Sequence, residues 1–186
     1  MTPEELEAWM SEFERFLTGR SRRVELSRVL STVLFTDIVS STATTIAKGD
    51  HGWRELLDRH DDVIRDRVGR YGGRLIKNTG DGVPATFDSP ARAVRCAQML
   101  RAPIRELGID VRSGLHTGEI ELRDDDIAGA AVNLARRVCD SAQAGEVRVS
   151  ESVLLVVAGS GLAFDDLGPH ELKGIPGTWR LYRALD

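Results

Sequence analysis

The sequence predicts an α+β sandwich in which a mainly antiparallel sheet carries its helices chiefly on one face. Three observations point there. Strand-like and helix-like segments alternate from about residue 29 to the C-terminus. A hairpin signal, Gly80-Asp81-Gly82, falls between the strand-like runs GRLIKNT and VPATFD. Ser89-Pro90 then supplies an N-cap with proline at the first helical position directly after that hairpin.

Taken in order, VLSTVLFTDI (residues 29–38) reads as a strand and WRELLDRHDDVIRDRVGRYG (53–72) as a helix. The hairpin follows, and Pro84 within its second strand implies an edge position or a bulge. Residues 91–107 form the second helix. Ile109 to Leu122 reads as two strands hinged at His116-Thr117-Gly118, and Gly129 to Ser141 as a third major helix. The tail gives EVRVS as a strand, ESVLLVVAG as a short helix, and two strands around Phe164 and Trp179 to Leu185. Ahead of this unit, Leu6, Trp9, Met10, Phe13, Phe16 and Leu17 share one face of an amphipathic helix, and the basic stretch TGRSRRVELSR reads as a linker. The expected organisation is an N-terminal helix and linker over 1–28 and one folded domain over 29–186.

Composition narrows the function. With 25 Lys and Arg against 29 Asp and Glu, the net charge is −4 and both signs are interspersed, which disfavours a nucleic-acid footprint. Cys96 and Cys139 are the two cysteines, far apart and without CxxC spacing, so neither a disulfide framework nor a zinc site is expected. The N-terminus lacks a basic flank followed by an apolar run, and no stretch reaches membrane-spanning length, so a cytoplasmic protein is expected.

Two carboxylates stand out. Asp37 lies where the apolar run Val33-Leu34-Phe35 emerges into Ser40-Ser41-Thr42, and Asp81 sits between two glycines at the hairpin tip. Each alone reads as an ordinary cap or turn residue. Brought together they would repel unless a cation lay between them, and hard oxygen donors suit Mg²⁺ or Mn²⁺ completed by substrate phosphates. The backbone of Ile38, Val39, Ser40, Ser41 and Thr42, entering a helix, would form a phosphate cradle. In GAAVNLARRVCD, Asn133 and Arg137 are four apart and share a helical face, while Arg136 points elsewhere. That pair reads either as a solvated stripe or as a sugar and phosphate contact.

Together FTDIVSST, KNTGD and DIAGAAVNLARR, in this order, resemble the class III adenylyl and guanylyl cyclases, most of all the actinobacterial branch whose cyclase domain often follows a hydrolase-like domain. The resemblance implies a ferredoxin-like βαββαβ core with a mainly antiparallel sheet extended by C-terminal strands. It implies two divalent cations, Mg²⁺ or Mn²⁺, at Asp37 and Asp81 beside the Ile38 backbone, base reading by Lys77 and Asp126, transition-state stabilisation by Asn133 and Arg137, and a triphosphate contact at Lys173. Adenine offers an acceptor at N1 and a donor at N6, which a lysine donor and an aspartate acceptor match, so ATP is expected over GTP. In the family each site lies between two catalytic domains. One chain carrying both residue sets is therefore expected to form a head-to-tail homodimer that converts ATP to 3′,5′-cyclic AMP and pyrophosphate.

Departures are Ala130 and Ala131, where relatives often carry polar residues. The rival readings are a guanylyl or relaxed-specificity cyclase, and a catalytically silent nucleotide-binding or dimerisation module. A diguanylate cyclase is excluded because Gly72-Gly73-Arg74-Leu75 does not supply a GG[DE]EF turn. His51, His60, His116 and His170 have no ligand-like spacing and read as structural or surface residues.

Overall fold

A computed structural model describes residues 28–77, 82–123 and 126–186. The expected N-terminal helix and most of its linker lie outside these residues, as does Asp81. The centre of the fold is β1 (Arg28–Ile38), whose residues are buried from Ser31 onward. Alternate side chains of β1 feed two layers, as period-two geometry requires. Leu34 joins one apolar cluster, while Val33 and Phe35 join another on the opposite face.

Two antiparallel neighbours clamp β1. On one side is β3 (Gly82–Phe87), in register from Thr32 opposite Phe87 to Asp37 opposite Gly82. On the other is β4 (Val111–Arg123), in register from Arg28 opposite Glu121 to Ile38 opposite Val111. Two-residue β2 (Arg74–Leu75) edges β3, and β6 (Val147–Ser150), β8 (Thr178–Ala184) and β7 (Phe164–Glu171) extend the sheet beyond β4. β4 and β6 run parallel; the other pairings among the described residues are antiparallel. The expected βαββαβ core with C-terminal strands is therefore present.

The helices divide unequally between the faces. α1 (Ser41–Arg70) buries Leu56, His60, Ile64 and Val68, one residue per turn, and α2 (Pro90–Glu106) buries Ala93, Ala97, Leu100 and Ile104 against the same cluster. α1 begins twelve residues before the predicted Trp53, with a non-helical Gly49 (φ 69°, ψ 170°) that joins two helical pieces. Ser89 caps α2 as predicted, accepting from the Arg92 amide at 3.5 Å. α3 (Ala130–Ser141) lies on the opposite face, and the short α4 (Glu151–Val156) packs Val153 into the first cluster. α3 comes down onto β4 at Gly114, where a Cβ would collide with the backbone of Cys139.

Two expectations are corrected. His116-Thr117-Gly118 is no hinge, because these residues pair with Val33, Thr32 and Ser31 inside continuous β4, and Thr117 and Thr32 share a hydroxyl hydrogen bond of 2.8 Å. Gly118 serves close packing instead, since a Cβ there would lie 3.0 Å from both Ala131 and the His116 ring. Asp126 opens β5 (Asp126–Ala128), paired with Arg123 of β4. Pro84 makes no bulge: the β1–β3 register runs through it opposite Phe35, and its carbonyl accepts from the Ile76 amide at 3.0 Å just beyond β2.

Candidate active site

Asp37 closes β1 with its side chain only 8% exposed. Its cross-strand neighbours are Gly82, the residue after Asp81, and Arg112. Arg112 donates from Nε and Nη2 to Asp37 Oδ2, at 2.9 and 2.5 Å, and from Nη1 to the Asp140 carbonyl at 2.9 Å. Burial alone would lower the Arg112 pKa, but the hydrogen bond and charge of Asp37, helped by Asp140, hold it above its ordinary value. Arg112 is thus a fixed cation at the strand end.

A second guanidinium approaches the other oxygen. Arg136 Nη2 lies 3.9 Å from Asp37 Oδ1, and its Nε lies 3.3 Å from Asp140 Oδ1 one helical turn on. Its Cζ sits 5.7 Å from the centre of the Phe35 ring. It also fills the space beside Gly82 that a Cβ would occupy. Asp140 holds Arg137 as well, with Nη1 2.9 Å from Oδ2. Arg136 does point away from the Asn133 side, as expected, but toward Asp37.

Sequence reasoning missed Arg112, Arg136 and Asp140. The signal for Asp140 was present in its spacing of three and four from the two arginines. For Arg112 it was weaker, an arginine between the buried Val111 and Ser113 of a strand.

The loop after Asp37 enters α1 through Ser40, whose φ of 59° and ψ of 35° make it the positive-φ non-glycine among the described residues. Such a conformation costs about 1–3 kcal/mol and concentrates at functional loops. The Ser40 side chain makes no capping bond to the first turn of α1. The Val39 amide, expected in the phosphate cradle, instead donates to the Asp110 carbonyl at 2.9 Å, which anchors the loop and removes that donor.

Other predicted residues lie apart from this cluster. Lys77 is exposed just past β2, and Asp126 is exposed at the start of β5, accepting from the Ile127 amide at 2.8 Å. β3, β1 and β4 separate the two strands in the sheet. Asn133 is exposed on α3, whose Leu134 and Val138 pack with Leu172, Ile175 and Trp179. That packing ties the exposed Lys173, in the turn between β7 and β8, to the α3 side of the molecule.

Burial disfavours the charged forms of His116 and both cysteines. His116 is buried, with Nδ1 2.8 Å from Ser150 Oγ and 3.1 Å from Ser152 Oγ, and burial pushes its pKa down to about 4. Burial pushes the Cys96 and Cys139 thiols up to about 12, so both remain neutral.

The cluster suits a divalent cation. Asp37 is a hard oxygen donor beside a side-chain-free position, and the space next to it already accommodates positive charge. Among the described residues no group of three or more His, Cys, Asp and Glu side chains gathers to hold a metal, so bound phosphates would have to complete the coordination.

Residues 28–184 match the model of the adenylate and guanylate cyclase catalytic domain. The chain belongs to this family. A putative adenylate cyclase of Rhizobium meliloti is 37% identical over 129 residues, covering 64% of this chain and 22% of its own length. An uncharacterized Mycobacterium tuberculosis protein is 36% identical over 163 residues, covering 78% of this chain and 52% of its own. The chain therefore spans about a fifth to a half of these curated relatives. The crystal structure of the Pseudomonas aeruginosa adenylyl cyclase CyaB shares the fold, with a TM-score of 0.80 at 24% identity over 86% of this chain and 95% of that one. The cyclase domain is thus a class III catalytic domain in both sequence and fold. Among the described residues no helix is long and apolar enough to cross a membrane.

Proposed function

We propose that this cyclase domain is an adenylate cyclase, converting ATP to 3′,5′-cyclic AMP and pyrophosphate at two sites shared between the chains of a head-to-tail homodimer. The observation that carries the reading is the register of β1 with β3. Asp37 pairs with Gly82, so the residue following Asp81 stands directly beside Asp37 at the strand end. A carboxylate with arginines beside it at this strand end, and a second carboxylate next in sequence to its cross-strand partner Gly82, are the chemistry that a metal-bound triphosphate requires.

In the reaction the ribose 3′-hydroxyl loses its proton to solvent water, O3′ bonds to the α-phosphorus, and the bond from that phosphorus to the bridging oxygen breaks, releasing pyrophosphate. When bound, Mg²⁺ or Mn²⁺ held by Asp37, Asp81 and the Ile38 carbonyl would neutralise phosphate charge and lower the pKa of that hydroxyl. The rest falls to the chain's own residues. Arg112 adds a fixed guanidinium on the phosphate side, and the backbone around Ser40 to Thr42, now without the Val39 amide, receives phosphate oxygens. From the partner copy, Arg137 meets the charge that develops on the transferring group and Asn133 orients the ribose. Lys77 donates to adenine N1, Asp126 accepts from N6, and Lys173 reaches the triphosphate.

Support for the shared site is the exposure of Asn133, Lys77, Asp126 and Lys173 on a chain whose Asp37 is buried against its own arginines. The test is turnover of ATP and of GTP with Mn²⁺ and with Mg²⁺. Cyclic AMP as the dominant product supports the reading, comparable GTP use replaces it with a relaxed-specificity cyclase, and no cyclic nucleotide points to a silent module.

A further inference from the structure

The two arginines beside Asp37 are held very differently. Arg112 makes two hydrogen bonds to Oδ2 and a third to the Asp140 carbonyl, so it is pinned at both ends of its guanidinium. Arg136 faces Oδ1 at 3.9 Å, an ion-pair distance too long for a hydrogen bond, and its side chain is 39% exposed. It has an alternative anchor already in reach, because Asp140 Oδ1 lies 3.3 Å from its Nε. Its guanidinium occupies the space over Gly82, backed by the Phe35 ring. That space adjoins the free oxygen of Asp37 and the residue after Asp81.

We propose that Arg136 is a displaceable internal counter-cation, which neutralises Asp37 Oδ1 while no divalent ion is bound and withdraws onto Asp140 when one arrives. The inference rests on Asp37 being a metal ligand, as proposed above. Its physical basis is that a guanidinium and a divalent cation cannot share one side of a single carboxylate, since their charges repel and they compete for the same oxygen. Arg112, bound to the other oxygen, stays in place. Arg136 thereby makes divalent-ion binding a competition and sets the metal concentration at which the site fills. The charged groups facing it are Asp37 from β1, Arg112 from β4, and Asp140 with Arg137 from α3.

The test uses the full chain and Mn²⁺ alone, without nucleotide, following the free-ion signal by electron paramagnetic resonance. Wild type is compared with Arg136→Gln, Arg136→Lys and Asp37→Asn. Arg136→Gln is expected to bind Mn²⁺ about tenfold more tightly, Arg136→Lys within about twofold of wild type, and Asp37→Asn far more weakly. A residue that merely supported the fold would weaken binding when removed, so tightening separates the two roles. Unchanged or weaker binding in Arg136→Gln, with Asp37→Asn still defective, overturns the counter-cation and leaves the metal site standing. Wild-type binding by Asp37→Asn overturns the metal site and this inference with it. Should Arg136→Gln not fold, the Arg136 Nε resonance of the wild-type chain decides. It is expected to shift on adding Mg²⁺ in wild type and not in Asp37→Asn, and a resonance indifferent to Mg²⁺ overturns the proposal.

Discussion

Arg112 places both Nε and Nη2 on a single oxygen of Asp37, Oδ2, across the β1–β4 ladder, so the carboxylate at the end of β1 is neutralised from one side by its own sheet. Removing the cation while keeping the buried carboxylate leaves charge without its main partner. Arg112→Ala is expected to cost about 2–3 kcal/mol, below the value for a fully buried pair because the arginine side chain is 28% exposed. Urea denaturation measures it. In a double-mutant cycle with Asp37→Asn the second substitution should recover most of the loss, and additive losses would show that the two residues do not interact.

The shared-site reading predicts complementation. Asp81→Ala and Arg137→Ala should each lower cyclic AMP formation at least about 100-fold. Mixed at equal concentration, they should recover up to a quarter of wild-type activity through heterodimers with one intact site. No recovery, with subunit exchange verified by mass, would mean that each chain holds a complete site.

Base reading by Lys77 and Asp126 predicts a polarity switch. Lys77→Glu combined with Asp126→Lys reverses donor and acceptor, and the ATP-over-GTP ratio of kcat/KM is expected to fall by about 100-fold or more. An unchanged ratio would remove these two residues from base recognition.

Gly114 carries α3. Gly114→Ala would drive a methyl group into the Cys139 backbone, where no side-chain rotation relieves the clash, so a loss of at least about 3 kcal/mol is expected. Thermal unfolding monitored by circular dichroism checks this, with the exposed Gly69→Ala, where a Cβ meets nothing, as a control for glycine replacement at an open position.

His116 makes stability fall in acid. Its folded pKa of about 4 lies below the ordinary 6.5, so between these values the unfolded chain binds more protons than the folded one. Its contribution is complete above about pH 6.5 and is lost as pH falls toward 4, by up to about 3 kcal/mol. His116→Gln should flatten that part of the denaturation profile, and an equal slope in wild type and variant would assign the acid loss to other groups.

Much of the fold was legible in the sequence because local signals agreed with the tertiary arrangement. Ser89-Pro90 starts α2 where the N-cap rule places it, and the apolar run of β1 is buried on both faces. Legibility failed where tertiary contacts overrode local ones. His116-Thr117-Gly118 looks like a break, yet pairing with β1 draws it into one long strand. The helix signal of Trp53 to Gly72 missed the first piece of α1 because Gly49 interrupts its periodicity.

The family motifs and the residue types at Asp37, Asp81, Lys77, Asp126, Asn133 and Arg137 are legible without a fold, because spacing and side-chain chemistry are properties of the chain alone. Only the tertiary structure decided what stands beside Asp37. Arg112 is 75 residues away in sequence and Arg136 almost a hundred, and neither has a local reason to meet it. They meet because β1 takes β4 as its neighbour and α3 descends onto both at Gly114, which brings three arginines to one aspartate, Asp140, and two of them to Asp37.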